Sequence, residues 1–215
     1  NKRIITSFFL LMLLFLMYSY TYILIISLII IASITWIEFN GLISKIFFKN
    51  NLKSKILKFL SKTFFLIYLL LLVLIILIIK SDRPEFQIFI IYALLVSITT
   101  DIGGLLFGKV FKGKKLTKIS PKKTISGSIG SFIISLILIP LFSQFFPDHK
   151  IITMTVATLL ISLVSQLGDL FISFLKRKAK VKDTSNILPG HGGFLDRIDG
   201  IILSIPFGIL IFNYL

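Results

Sequence analysis

Long uncharged stretches separated by short polar segments dominate this chain. Residues 4–37 carry no charge, and further apolar runs cover about 64–80, 86–107, 125–146, 151–175 and 199–215. About 20 apolar residues in helical conformation cross the ~30 Å hydrocarbon core of a bilayer. Because hydrocarbon offers no hydrogen-bond partner to an open backbone, each of these runs is predicted to be a helix.

The first run has an unusual length. Residues 4–37 would form about 51 Å of helix at 1.5 Å per residue, which is too long for one upright span and short for two. The polar segment Tyr18-Ser19-Tyr20-Thr21 predicts a break and a tight two-helix hairpin. With the five further runs, the total is six or seven transmembrane helices, according to whether the first run crosses the membrane once or twice. The predicted fold class is all-α, a polytopic helical bundle in the membrane.

Composition supports this assignment to the membrane. The chain has 215 residues, of which 56% are hydrophobic and 15% are charged. A soluble domain is usually close to half apolar and a quarter charged. The chain has no cysteine, which excludes a disulfide framework and thiolate chemistry.

The net charge of +15 is concentrated in a few segments. All but three of the 24 Lys and Arg residues lie at positions 2–3 or in the predicted loops 40–63, 108–124 and 176–198; the exceptions are Lys80, Arg83 and Lys150. Basic loops usually face the cytoplasm. This placement predicts an integral membrane protein whose basic loops, with any site they carry, lie on the cytoplasmic side of a bacterial inner (plasma) membrane, and it argues against a nucleic-acid partner.

Asp169 is a carboxylate inside an apolar run. It follows 18 uncharged residues, and a charge in such a segment is costly and usually functional. On a helix, Asp169, Ser173 and Lys176 would share one face. The structural alternative is a simple ion pair of Asp169 with Lys176 or Arg177.

Asp196 and Asp199 precede the last apolar run with the i, i+3 spacing that places two side chains on one helix face. Neighbouring carboxylates repel one another unless a cation lies between them. With Asp169 they could hold a magnesium ion, and a second cation, potassium or magnesium, is compatible with the pattern. The alternative is a helix cap with surface salt bridges to Arg197.

Two polar segments have the composition of phosphate-binding sites. In Pro189-Gly190-His191-Gly192-Gly193 the glycines allow close approach to a phosphate, and His191 could bind pyrophosphate, orient a carboxylate or be structural. Ser120-Pro121-Lys122-Lys123-Thr124 precedes an apolar run, where lysines, hydroxyls and free helix amides suit a triphosphate. A positive-inside flank explains those lysines equally well.

Asp101 also ends an uncharged run, so the argument for intramembrane acids applies to it. The glycines that follow it, Gly103, Gly104 and Gly108, are explained as well by close helix packing.

These segments together resemble the signature of the phosphatidate cytidylyltransferase family. The family motif T-D-x-G-A-Y-x-x-G is matched at Thr100, Asp101, Gly103 and Gly108, and I-S-P-K-K-T at 119–124. G-D-L-x-x-S-x-x-K-R is matched from Gly168 to Arg177, and K-D…L-P-G-H-G-G-x-x-D-R-x-D from Lys182 to Asp199. The family often has glutamate where Ile172 stands and Trp-Glu where Ile125 and Ser126 stand.

The resemblance implies that CTP and phosphatidate, a membrane lipid, give CDP-diacylglycerol and pyrophosphate in phospholipid biosynthesis. It assigns catalysis to Asp169, Ser173, Lys176, Arg177 and Asp196, and magnesium to Asp169, Asp196 and Asp199. It assigns substrate binding to Ser120, Lys122, Lys123, Thr124, Lys182, His191, Gly192, Gly193 and Arg197, with Asp101 and Asp183 in support.

Within one integral membrane domain, the motifs divide the chain into N-terminal helices with a basic loop (1–99) and a catalytic region (100–215). A homodimer is compatible with the sequence.

Three alternatives remain. A related cytidylyltransferase would act on another phosphorylated lipid, of the archaeal ether or polyprenyl type. An ion-coupled transporter would explain the intramembrane acids but not the glycines, lysines and hydroxyls beside them. Phosphatidyltransferases carry D-x-x-D-G-x-x-A-R; Asp196 to Gly200 fit its start, but Leu203 and Ser204 replace Ala-Arg, which disfavours that reading.

Overall fold

The computed structural model describes residues 2–146, 150–187 and 192–214, and these residues are almost entirely helical. The elements are α1 Lys2–Ser19, α2 Thr21–Ile46, α3 Leu52–Asp82, a 3-10 turn Pro84–Phe86, α4 Gln87–Val110, α5 Ile125–Leu136, α6 Leu138–Phe142, a 3-10 turn Ser143–Phe145, α7 Ile151–Lys178, α8 Leu195–Ile198 and α9 Ile201–Tyr214. Within the described residues there is no strand; an isolated antiparallel bridge joins Lys115 to Thr124. The all-α prediction is confirmed.

Five helical segments in the described part of the chain are long and apolar enough to cross a membrane. They are α2, α3, α4, the stretch Ile125–Phe145 and α7. This confirms that the chain is a membrane protein. The helices α1 and α9 are also apolar, with 18 and 14 residues. The predicted total of six or seven spans depends on whether these two cross the bilayer as well.

The predicted break in the first apolar run is confirmed. Helix α1 ends at Ser19 and α2 begins at Thr21, with Tyr20 in an extended conformation (φ −123°, ψ 114°) between them. Met17 packs in one cluster with Leu24 and Leu28, so α1 and α2 bury apolar side chains against each other.

The predicted basic loop 40–63 was wrong in its extent. Helix α2 continues to Ile46, and α3 begins at Leu52, where the side chain of Asn51 accepts a hydrogen bond from the Ser54 N–H. The lysines between 53 and 62 are therefore helical. Lysine is a good helix former, and the 31 residues of α3 extend about 46 Å, which exceeds the thickness of a bilayer core.

The chain divides into two compact units. One contains Asn1–Arg83 and Leu175–Arg197, and the other contains Pro84–Phe174 and Ile198–Leu215. In the first unit, Phe39 of α2 stacks on Phe65 of α3 with ring centroids 3.8 Å apart. The division of the chain at residue 99, which follows the motifs, stays a prediction.

Polar contacts between helices organise the second unit. Three buried hydroxyl pairs join α4 to α7: Tyr92 to Thr158 at 2.6 Å, Ser97 to Ser165 at 2.7 Å and Thr100 to Ser162 at 2.8 Å. The ring of Tyr92, whose hydroxyl forms the first of these pairs, packs edge-to-face against Phe146 and Phe212. The hydroxyl pairs satisfy polar groups that would be costly to leave unpaired in an apolar surrounding.

Glycines bring α4 and α5 into backbone contact. A Cβ added at Gly103 would lie 2.5 Å from the carbonyl oxygen of Gly130, and one at Gly127 would lie 2.7 Å from that of Gly104. No side chain fits at these distances. The alternative explanation of the glycines after Asp101, close helix packing, is therefore confirmed.

Candidate active site

The segment between α4 and α5 presents Lys123 to α7. The Lys123 N–H donates to the Ser120 carbonyl at 3.0 Å, and its own carbonyl accepts from the Leu116 N–H at 2.8 Å. Thr124 then caps α5 by accepting the Gly127 N–H at 3.1 Å. In this arrangement the Lys123 ammonium forms an ion pair with the carboxylate of Asp169.

Asp169 on α7 has few hydrogen-bond partners among the described residues. Its side chain is 23% exposed, and besides Lys123 it accepts one long hydrogen bond, 3.3 Å, from the Ser173 hydroxyl. The sequence left open a structural pairing of Asp169 with Lys176 or Arg177, but the structure pairs it with Lys123. Two motifs that lie far apart in the sequence therefore meet at this carboxylate.

Asp199 lies close to the residue that precedes Asp169. A Cβ at Gly168 would be 2.5 Å from the Asp199 carbonyl oxygen, and one at Gly200 would be 2.5 Å from the Ser165 hydroxyl. Asp199 is buried, and its carboxylate accepts the Gly200 N–H at 2.9 Å. Gly168 and Gly200 therefore act here as packing residues that allow α7 to approach the chain just before α9.

Asp196, in the other compact unit, is held by several donors. One carboxylate oxygen accepts from the Lys176 ammonium at 2.6 Å. The other accepts from the Thr184 N–H at 2.9 Å, the Thr184 hydroxyl at 3.0 Å and the Gly193 N–H at 3.2 Å. Burial alone raises the pKa of this carboxyl, but the hydrogen bonds and the charge of Lys176 outweigh it and lower the pKa below its ordinary value.

Glu38 is a functional candidate that the sequence analysis missed. Its side chain is almost fully buried, at 3% exposure, on α2. It accepts hydrogen bonds from the N–H groups of Phe194 and Leu195, at 2.9 and 2.7 Å, and from the hydroxyls of Thr184 and Ser185. The signal was present in the sequence, because Glu38 directly follows the uncharged residues 4–37 and the argument used for Asp169 applies to it equally.

Several of the remaining predicted residues are exposed, namely Asp101, Lys122, Arg177, Lys182, Asp183 and Arg197. Ser120 and Thr124 shape the turn before α5. Gly192 has a φ of +81°, which favours glycine, and it lies near Asp183 and Asp196. His191, with Pro189 and Gly190, lies outside the described residues. Of the family departures, Ile172 is buried and Ile125 is exposed.

The acidic side chains suit magnesium by chemistry. Over the described residues, no group of three or more His, Cys, Asp or Glu side chains is placed to hold a metal ion. Magnesium usually takes only one or two carboxylates and completes its octahedron with substrate phosphates and water. Asp169 and Asp196 supply such oxygens, and each is at present neutralised by a lysine. The joint ligation by Asp169, Asp196 and Asp199 stays a prediction.

The long apolar helices and these lysine–carboxylate pairs define a polytopic membrane protein with charged sites among its helices. Its family is established by comparison with known proteins. The chain belongs to the cytidylyltransferase family, which it matches over residues 1–215. The resemblance seen in the sequence motifs is thereby confirmed.

Curated relatives agree with this family. A phosphatidate cytidylyltransferase of Staphylococcus haemolyticus is 46% identical over 121 residues, covering 55% of this chain and 46% of the relative. One of Rickettsia felis is 40% identical over 134 residues, covering 58% of each. One of Staphylococcus saprophyticus is 38% identical over 151 residues, covering 69% and 58%. The chain thus spans about half the length of the curated relatives it matches.

Proposed function

We propose that this chain is a phosphatidate cytidylyltransferase, which joins CTP and phosphatidate to give CDP-diacylglycerol and pyrophosphate. Its family and the printed names of its relatives support this assignment. The ion pair between Lys123 and Asp169 is the observation that carries the proposal. It joins the lysine-rich motif before α5 to the acidic motif of α7, so that a cation and a carboxylate suited to triphosphate chemistry lie together.

The proposed reaction needs positioning more than a strong base. A phosphate oxygen of phosphatidate attacks the α-phosphorus of CTP, and the bond from that phosphorus to the oxygen bridging to the β-phosphate breaks. The nucleophile is already ionised near neutral pH, so the barrier lies in bringing two anions together and in stabilising charge on departing pyrophosphate. Lys122 and Lys123 would bind the triphosphate, and Ser173, Lys176 and Arg177 would contact phosphate oxygens.

Magnesium is the proposed cofactor, with Asp169, Asp196 and Asp199 as its candidate ligands and room for a second cation. When bound, it would neutralise phosphate charge and polarise the reacting phosphorus. The lysines that now neutralise Asp169 and Asp196 would then be available to the phosphates.

The test is turnover by the purified protein in detergent. Incubation with CTP, phosphatidate and magnesium is expected to yield equimolar CDP-diacylglycerol and pyrophosphate, and chelation of magnesium is expected to abolish both. Polyprenyl phosphate and an archaeal ether-lipid phosphate serve as competing acceptors. The proposal fails if no CDP-lipid forms, and its substrate is wrong if either competitor reacts faster than phosphatidate.

We further propose that the basic segments face the cytoplasm of a bacterial inner membrane, on the positive-inside rule. The sequence has no cysteine, so a single introduced cysteine can be labelled by a maleimide without background from native thiols. Lys115→Cys and Lys150→Cys occupy exposed positions on either side of the stretch Ile125–Phe145. In intact spheroplasts, a membrane-impermeant maleimide should label position 150 and not 115; the reverse pattern would overturn the orientation.

A homodimer also stays a prediction. Light scattering of the purified protein in detergent would measure the mass of the assembly.

A further inference from the structure

Glu38 is a buried carboxylate with a complete set of hydrogen-bond donors. Both of its carboxylate oxygens are occupied: Oε1 accepts from the Ser185 hydroxyl and the Phe194 N–H, and Oε2 from the Thr184 hydroxyl and the Leu195 N–H. A carboxylate at 3% exposure would be strongly destabilising without such donors. Charge-assisted hydrogen bonds of this kind are about twice as strong as neutral ones.

All four donors come from one segment, 184–195, which lies far from Glu38 in the sequence. This segment includes Gly192 and Gly193 of the glycine motif and leads directly into Asp196. The fit is tight, since a Cβ at Gly193 would lie 1.8 Å from the Thr184 hydroxyl oxygen and 2.8 Å from Glu38 Oε2. Glu38 therefore fixes the chain from Gly193 to Leu195 against α2.

Thr184 connects Glu38 to Asp196. Its hydroxyl oxygen is 2.8 Å from Glu38 Oε2 and 3.0 Å from Asp196 Oδ2. A hydroxyl has one proton and can donate it to one acceptor at a time. Two carboxylates therefore share a single donor, and the position of one affects the hydrogen bonding of the other.

We propose that Glu38 is a positioning residue of the reaction. It holds Thr184, Ser185, Phe194 and Leu195 so that Asp196 and Gly193 keep the geometry needed for phosphate binding. The role of Asp196 in this inference rests on the proposed function. The hold of Glu38 on the segment does not, and it can be tested in the absence of any substrate.

The physical test is hydrogen exchange of the detergent-solubilised protein in wild type and Glu38→Gln. Glutamine keeps the shape but replaces one acceptor oxygen by a donor, so peptides covering 192–197 should exchange at least about tenfold faster. Thr35→Val is the matched control, since Thr35 is buried one turn away on α2 and its hydroxyl donates to the Ile31 carbonyl of the same helix. It should leave exchange in 192–197 unchanged. Equal exchange in wild type and Glu38→Gln would overturn the proposal.

The kinetic test separates positioning from a general loss of stability. Glu38→Gln is expected to lower kcat roughly 10- to 100-fold, the size of effect that misplaced reacting groups produce, while KM for CTP changes less than about threefold. Thr35→Val should lower the melting midpoint without this loss of kcat. The same fall in kcat for both variants would show Glu38 to be merely structural.

Two milder substitutions test the same coupling if the Glu38→Gln variant does not fold. Thr184→Val and Ser185→Ala each remove one hydroxyl donor to Glu38, but only Thr184 also contacts Asp196. We expect Thr184→Val to lower kcat several-fold more than Ser185→Ala. Equal kcat values would contradict the coupling of Glu38 to Asp196. If wild type itself forms no CDP-lipid, the proposed function fails, and the exchange measurement still decides whether Glu38 holds the segment.

Discussion

Two lysine–carboxylate pairs, one in each compact unit, are held in different ways. The Lys176–Asp196 pair has side chains 14% and 7% exposed, and three further donors bind the aspartate. The Lys123–Asp169 pair has side chains 26% and 23% exposed, and Ser173 is the other polar partner of its aspartate among the described residues. Asp196 is thus built into its surroundings, whereas Asp169 can exchange its lysine for a ligand at lower cost.

Replacing Asp169 should have the largest effect on activity and little effect on stability. We expect Asp169→Asn to reduce CDP-diacylglycerol formation by at least about 100-fold, as loss of one charged active-site group commonly does. Because the residue is partly exposed with few partners, the free energy of unfolding should change by less than about 0.5 kcal/mol. Turnover and thermal melting of the same preparation measure both. Full activity of this variant would remove Asp169 from the reaction.

Asp196→Asn should combine the two effects. The substitution leaves Lys176 without its carboxylate and places an amide among three donors, so we expect a loss of stability of about 1–3 kcal/mol together with lower activity. Thermal melting in detergent measures the loss of stability, and the assay with CTP and phosphatidate measures the loss of activity. A variant as stable as wild type would erase the contrast with Asp169.

Acid should weaken the Asp196 site in wild type. The folded-state pKa of Asp196 is lowered, so its contribution to stability is fully present above the unfolded value and is lost as pH falls through the folded value. We expect the difference in melting midpoint between wild type and Asp196→Asn to be constant from pH 5 to 7 and to shrink below about pH 4. A difference that grows in acid would contradict the lowered pKa.

Ser173→Ala should have the smallest effect. Its hydroxyl is 3.3 Å from the Asp169 carboxylate, which is a weak hydrogen bond. We expect kcat/KM to fall by less than about tenfold, equivalent to 1.4 kcal/mol, with unchanged melting. A loss as large as that of Asp169→Asn would show that Ser173 contacts the substrate directly.

The helical fold could be predicted from local sequence, which also singled out Asp169 and Lys123 as candidate site residues. Apolar runs predict α2, α4 and α7 because their burial in lipid requires no knowledge of partners, and the polar break at Tyr20 is equally local. The lysines after residue 52 were placed in a loop because charge patterns do not distinguish a loop from a helix that continues past the membrane surface.

The specific pairings could not be predicted. The sequence offers many lysines to Asp169, and the choice of Lys123 depends on the turn at Ser120 and the cap at Thr124. Glu38 was overlooked because its donors, two backbone amides and two hydroxyls, lie about 150 positions away and have no charge signature. Such contacts follow from the packing of distant segments, which a motif does not encode.

The glycine contact between α4 and α5 has a consequence for how the Lys123 site meets its substrate. Where two backbones touch without side chains between them, the helices have no rotamers through which to slide or rotate. The turn that precedes α5 is therefore attached to a stiff support, which restricts where the Lys123 ammonium can lie. In the proposed reaction, less reorganisation energy would then be required as charge builds up on the triphosphate, an electrostatic preorganisation that depends on the smallest residue.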